Sequence, residues 1–204
     1  MRTELSKSKR IVIKIGSSII DANNGSLMSR ICSQINQCLS NNKEVLIVTS
    51  GAISQGMKIM NIPQRPKDTK KLQSLAALGQ QRLMLMYEKL FSVYTRRTAQ
   101  VLITHNDVDD RVRYLNIKGT LEELLINKVI PIINENDVVS TEEIKFGDND
   151  NLASMIANLV SADLMIILTD QKGMYDKNPD HCKDAKLINK ILIDELNDFL
   201  LGSF

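Results

Sequence analysis

The feature that most constrains this chain is alternation: short runs of β-branched residues are separated by longer stretches of helical period. That order is the signature of βαβ units around a mainly parallel sheet, because a parallel strand must be reached through a crossover, usually a helix. The strand runs are 10–15, 45–49, 99–103, 129–134 and 164–169, and the helical stretches are 27–39, 71–94, 114–127 and 151–160. In the second of these, Leu72, Leu75, Ala76, Leu83, Met86, Leu90 and Tyr94 recur at spacings that build one apolar face. Met84 and Met86 on that stretch read as core filling rather than as an adaptable surface. The expected fold class is therefore α/β, a mainly parallel central sheet sandwiched between helices. With no internal repeat or low-complexity segment, residues 1–204 are expected to form one domain.

Composition narrows the function classes. The 204 residues are 43% hydrophobic and 25% charged, enough for one sizeable core. Lys and Arg outnumber Asp and Glu by only 26 to 24 and are dispersed, which argues against a nucleic-acid partner. No apolar run reaches bilayer length, and the basic N-terminus lacks the apolar core and cleavage site of a signal peptide. A cytoplasmic protein with no membrane partner is expected. The three cysteines, Cys32, Cys38 and Cys182, form no Cys-x-x-Cys pair and read as packing residues. His105 and His181 stand apart from any nucleophile or ligand motif and read as structural or exposed.

In open parallel sheets ligands bind beyond the carboxyl ends of strands. Three of those ends are unusual here. After the first strand come Lys14, Gly16, Ser17 and Ser18: an ammonium inside an apolar strand, then glycine and hydroxyls suited to a phosphate. Edge strands also carry lysine, and on this segment alone the edge-strand reading is the stronger. The second strand stops at Thr49, Ser50 and Gly51, where a ligand can approach the backbone and meet a hydroxyl. An ordinary turn with Ser50 as helix N-cap fits equally well. After the fourth strand, Asn134 to Asp137 and Gly147 to Asn151 form two polar clusters flanking one loop, the pattern of convergent recognition groups. Neither a P-loop nor a Gly-x-Gly-x-x-Gly fingerprint occurs.

Taken together, Lys14-Ile15-Gly16-Ser17-Ser18, Thr49-Ser50-Gly51-Ala52, Ala76-Ala77-Leu78-Gly79-Gln80, Ile133-Asn134-Glu135-Asn136-Asp137, Phe146-Gly147-Asp148-Asn149-Asp150-Asn151-Leu152 and Thr169-Asp170-Gln171-Lys172-Gly173-Met174-Tyr175 occur in the order and spacing of glutamate 5-kinases. The chain resembles that branch of the amino-acid kinases from about Arg10 to Asn197. The resemblance implies ATP-dependent phosphorylation of the glutamate side-chain carboxylate, the first step of proline biosynthesis. It also implies Mg²⁺ with the nucleotide, L-glutamate as substrate, L-proline as feedback inhibitor, and a homo-oligomer. Carried over by position, Lys14 and Asp150 are catalytic, with Asp150 orienting the lysine. Ser50, Gly51, Asp137 and Asn149 hold glutamate, and Lys14, Gly16, Thr169 and Asp170 serve ATP. Asp148 and Asp150 resemble metal ligands, but the orienting role is preferred for Asp150 and no residue is assigned to a metal.

The same family continues into a glycine-rich turn, Gly-Thr-Gly-Gly-Met-x-Thr-Lys, whose backbone and lysine hold the ATP phosphates. No such segment follows here, nor a PUA domain, so the resemblance implies a kinase domain truncated at its C-terminus. Two alternatives remain at this level: a non-catalytic remnant that binds glutamate or a homologous subunit, and a carboxylate kinase of the same fold acting on N-acetylglutamate or aspartate.

Overall fold

The computed structural model describes residues 5–21, 25–139, 149–177, 179 and 181–191. The polar cluster Phe146-Gly147-Asp148 lies outside the described residues. The chain divides into two compact units, 1–168 and 169–204.

The first unit is built on a five-stranded sheet of β1 (Arg10–Ile15), β2 (Glu44–Thr49), β3 (Arg97–Ile103), β4 (Val129–Glu135) and β5 (Leu164–Leu168). The spatial order is β3-β4-β2-β1-β5 and every pairing is parallel. β1 therefore lies inside the sheet, with Lys14 opposite Val48 on one side and Ile167 on the other. This overturns the edge-strand reading of Lys14, which rested on local sequence.

Helices cover both faces. In chain order they are α1 (Ser17–Asp21), α2 (Gly25–Ser40), α3 (Ala52–Ile59), α4 (Thr69–Ser92), α5 (His105–Asp109), α6 (Arg111–Ile126) and α7 (Asp150–Leu159). The strand period of two divides the core. Ile11, Ile13 and Ile15 of β1 join Val45 and Ile47 of β2 in a cluster with Met28, Cys32 and Ile35 of α2 and Leu72, Leu83, Tyr87 and Phe91 of α4. Val12, Leu46, Val48 and Ile133 meet Leu121 and Leu125 of α6 and Leu152, Ile156 and Leu159 of α7 on the other face. Lys14 has the parity of Val12, so it points to the α7 face, one step nearer the carboxyl end. The helices predicted at 27–39, 71–94, 114–127 and 151–160 are present with ends shifted by one to three residues, whereas α1 and α5 were not anticipated and α3 only as the helix that a Ser50 N-cap would start.

Two glycines set how closely α3 and α4 cross. A Cβ on Gly79 would sit 1.8 Å from the Ala52 carbonyl oxygen, and one on Gly56 would sit 2.0 Å from that of Leu75. The helices therefore touch backbone to backbone, next to the turn carrying Ser50 and Gly51.

The second unit contains a short antiparallel pair, β6 (Met174–Tyr175) and β7 (Leu187–Ile188). Around it, Asp176 N–H donates to the Lys186 carbonyl, Lys186 N–H donates to the Asp176 carboxylate, and Lys177 pairs with Asp184 at 2.8 Å.

Candidate active site

A lysine inside a sheet needs an anion to stay charged, and Lys14 is such a lysine. Its side chain is only 8% exposed, and its Nζ lies 2.6 Å from Oδ1 of Asp150, which is 41% exposed. Asp150 is the first residue of α7, where the helix dipole favours a carboxylate. The pair thus joins the middle of the sheet to a helix N-terminus. It leaves the ammonium at the carboxyl edge, beside Gly16, where a Cβ would lie 3.9 Å from Nζ. The Gly16 N–H itself donates to the Leu168 carbonyl, 3.1 Å away, and so is committed to the sheet edge. What Gly16 offers here is space.

Next to this pair is a cavity of about 300 Å³ whose lining includes Ser50, Gly51, Asn134, Glu135, Asp137 and Asn149. Ser17, Asp21, Ser54 and Arg65 are the other polar residues of its lining. All four residues assigned to glutamate by sequence converge on it. Gly51 caps α3 in the left-handed region, φ 99°, and a Cβ there would meet Ile20 at 3.2 Å, so glycine is required by conformation as well as by room. The cap of α3 is therefore Gly51 and not Ser50. The Ser50 hydroxyl is buried without a hydrogen-bond partner among the described residues.

A buried polar network backs the cavity. Asn149 Nδ2 donates to the Thr49 carbonyl at 2.6 Å and to Asn134 Oδ1 at 2.8 Å. Asn134 Nδ2 donates to Gln80 Oε1 of α4 at 2.8 Å. The Thr49 hydroxyl meets the Tyr87 hydroxyl at 2.9 Å. Burial raises the Tyr87 pKa well above the usual phenol value, more than the Thr49 hydrogen bond lowers it, so the group stays neutral. Sequence reasoning passed over Gln80 and Tyr87 as parts of a site. The signal was a glutamine on the buried stripe of α4, at helical spacing from Ala76 and Leu83.

Thr169 and Asp170, assigned to the nucleotide, belong to the second unit. Both are exposed, and the Thr169 hydroxyl donates to Asp170 Oδ1 at 3.1 Å. Among the described residues no helix is long and apolar enough to cross a membrane.

A parallel sheet between helices, with a buried lysine and a polar cavity at its carboxyl edge, is an arrangement suited to holding a small polar ligand. The model of the amino acid kinase family matches residues 9–203, and the chain belongs to that family. It is 49% identical over 195 residues to a glutamate 5-kinase of Thermoanaerobacter sp. strain X514, covering 94% of this chain and 52% of the relative. It is 48% identical over 192 residues to a glutamate 5-kinase of Acinetobacter baumannii strain ATCC 17978, covering 92% of this chain and 51% of the relative. The chain thus spans about half the length of these curated relatives. Among solved structures, the UMP kinase from Ureaplasma parvum shares the fold, with a TM-score of 0.59 at 17% identity over 97% of this chain and 82% of that one.

Proposed function

We propose that the chain carries the substrate half and the phosphoryl-stabilising lysine of a glutamate 5-kinase. The reaction moves the γ-phosphoryl group of ATP onto the side-chain carboxylate of L-glutamate. The observation that carries the reading is the Lys14–Asp150 pair beside the cavity lined by Ser50, Gly51, Asp137 and Asn149. The near-half identity to curated glutamate 5-kinases supports the choice of substrate.

A glutamate side-chain carboxylate is ionised at neutral pH and is already a nucleophile, so no general base is needed. One carboxylate oxygen forms a bond to the γ-phosphorus while the bond to the β,γ-bridging oxygen breaks, and ADP leaves with that electron pair. Catalysis then rests on positioning and on compensating charge on the phosphoryl oxygens. Lys14 supplies the charge, and Asp150 keeps it ionised and aimed. In the cavity Asp137 would meet the α-ammonium of glutamate, while Ser50 and Asn149 supply further polar contacts. Gly16 leaves room for the transferring group, and Thr169 and Asp170 are assigned to the nucleotide. Mg²⁺ would neutralise charge on the triphosphate. L-Proline, close to the cyclised skeleton of glutamate, is proposed to compete for the same cavity.

The test is hydroxylamine trapping of the acyl phosphate. Glutamate should give hydroxamate in preference to aspartate and N-acetylglutamate, and Asp137→Ala should raise the KM for glutamate more than that for ATP. Equal hydroxamate from N-acetylglutamate, which lacks the ammonium, would remove the assignment. Glutamate isotherms that do not shift on adding proline would remove the shared site.

A further inference from the structure

The amide chain behind the cavity has a direction, and one backbone atom sets it. The Thr49 carbonyl can only accept a hydrogen bond, so the Asn149 amide must present Nδ2 to it. The same Nδ2 reaches Asn134 Oδ1, which turns the Asn134 amide so that its Nδ2 faces α4. There it meets Gln80 Oε1. Turning any one amide over would set carbonyl against carbonyl at under 3 Å, or NH₂ against NH₂.

The direction leaves a mark at each end. At the α4 end, Gln80 Nε2 is buried without a partner among the described residues, although Gln80 is only 8% exposed. A buried donor left without an acceptor is unfavourable, so the orientation is kept against a local penalty. At the other end both hydrogens of Asn149 Nδ2 are taken by Thr49 and Asn134. Asn149 lines the cavity, and its Oδ1 accepts no hydrogen bond among the described residues, so the group it offers a ligand is an acceptor.

We propose that Gln80 is a positioning residue: by accepting from Asn134 Nδ2 it keeps Asn134 Oδ1 on the Asn149 amide and so, together with the Thr49 carbonyl, holds Asn149 Oδ1 toward the cavity, making that wall select a ligand's hydrogen-bond donor, an ammonium, over an acceptor. Gln80 does this from α4, one residue beyond the Gly79 contact that fixes α4 against α3. This deepens the glutamate reading and rests on it for the identity of the ligand. The direction of the amide chain stands on geometry alone.

The experiment compares the wild-type chain with Gln80→Met, which keeps length but removes the acceptor, and Gln80→Glu, which keeps an oxygen where Oε1 stands. Glutamate and glutarate, the same diacid without the ammonium, are titrated by calorimetry. Solvent exchange of the Asn149 side-chain NH₂ protons is followed by NMR. In Gln80→Met, glutamate affinity should fall about tenfold, equivalent to about 1.4 kcal/mol. Glutarate affinity should change little, so the preference for the ammonium-bearing ligand narrows. The Asn149 protons should exchange slowly in the wild type and faster in Gln80→Met, and Gln80→Glu should restore both. A role in packing alone would lower the melting temperature without narrowing the preference, and that result overturns the proposal. Rapid exchange of the Asn149 protons in the wild type overturns it whether or not the variants fold. Slow exchange in the wild type with no glutamate isotherm removes the glutamate reading and leaves the amide direction standing.

Discussion

Gly79→Ala is the sharpest test of how α3 and α4 hold the site. The new Cβ would lie 1.8 Å from the Ala52 carbonyl oxygen and 2.4 Å from the Gly56 nitrogen, both backbone atoms that no rotamer change can move. Ordinary van der Waals contact would require α3 to retreat by roughly 1.5–2 Å. Overpacking costs about 1–3 kcal/mol, and a backbone obstacle places this case at the upper end. Alanine in place of a helical glycine returns about 1 kcal/mol. The net loss is about 2 kcal/mol, which for a chain of this size lowers Tm by about 4–8 °C. Because Ala52 follows Ser50 and Gly51 directly, the retreat also displaces the cavity wall, and glutamate affinity should fall in parallel. Thermal unfolding followed by circular dichroism reads the first effect and calorimetry the second. Gly119→Ala is the matched control: Gly119 lies in α6 with nothing within 4 Å of its Cβ position, so this change should raise Tm slightly. A Gly79→Ala chain as stable as the Gly119→Ala chain would refute the close crossing.

Three further outcomes are expected. Lys14→Ala should lower kcat about a hundredfold or more with little effect on glutamate affinity, since it removes one preorganised charge from the transition state; an unchanged kcat in the hydroxamate assay would return Lys14 to a structural role. Tyr87→Phe should destabilise by about 0.5–1.5 kcal/mol in urea unfolding, toward the lower end because the Thr49 hydroxyl keeps its bond to the Ser50 carbonyl, and equal stability would discount the Tyr87–Thr49 contact. Asp163 accepts from the N–H groups of Arg10 and Lys9 at the start of β1, and these hold its carboxyl below the ordinary 3.8. Its folded pKa is depressed, so its contribution is present above 3.8 and lost as pH falls through the lower folded value. Asp163→Asn should therefore be less stable than wild type at neutral pH and converge with it in acid, and a gap that does not narrow as pH falls below 3.8 would show that ionisation is not the cause.

Local sequence determined the elements whose signal is local. β1 to β5 announced themselves by short apolar runs, and α2, α4, α6 and α7 by spacing, because side-chain periodicity is a property of a few consecutive residues. Helices α1 and α5, five residues each, and α3, eight, are too short to show a period. Their formation depends on what they meet, such as the Gly79 surface under α3. Of the residues that line the cavity, Ser50, Gly51, Asp137 and Asn149 were legible as odd positions at strand ends and by resemblance to family motifs, whereas Arg65 and Asp21, and Gln80 and Tyr87 behind it, were not.

Sequence could not decide strand order. Lys14 reads as an edge lysine until β5, some 150 residues away, pairs with its far side and makes it a buried cation needing Asp150. Nor could it reveal that Gln80, Asn134, Asn149 and Thr49 share one hydrogen-bonded chain, since they come from a helix, two strand ends and a helix cap. Which atom of Asn149 faces the cavity follows from a carbonyl one hundred residues earlier in the chain. Such facts belong to the tertiary structure because hydrogen-bond direction is set by the partner, and the partner is chosen by the packing of the sheet and its helices.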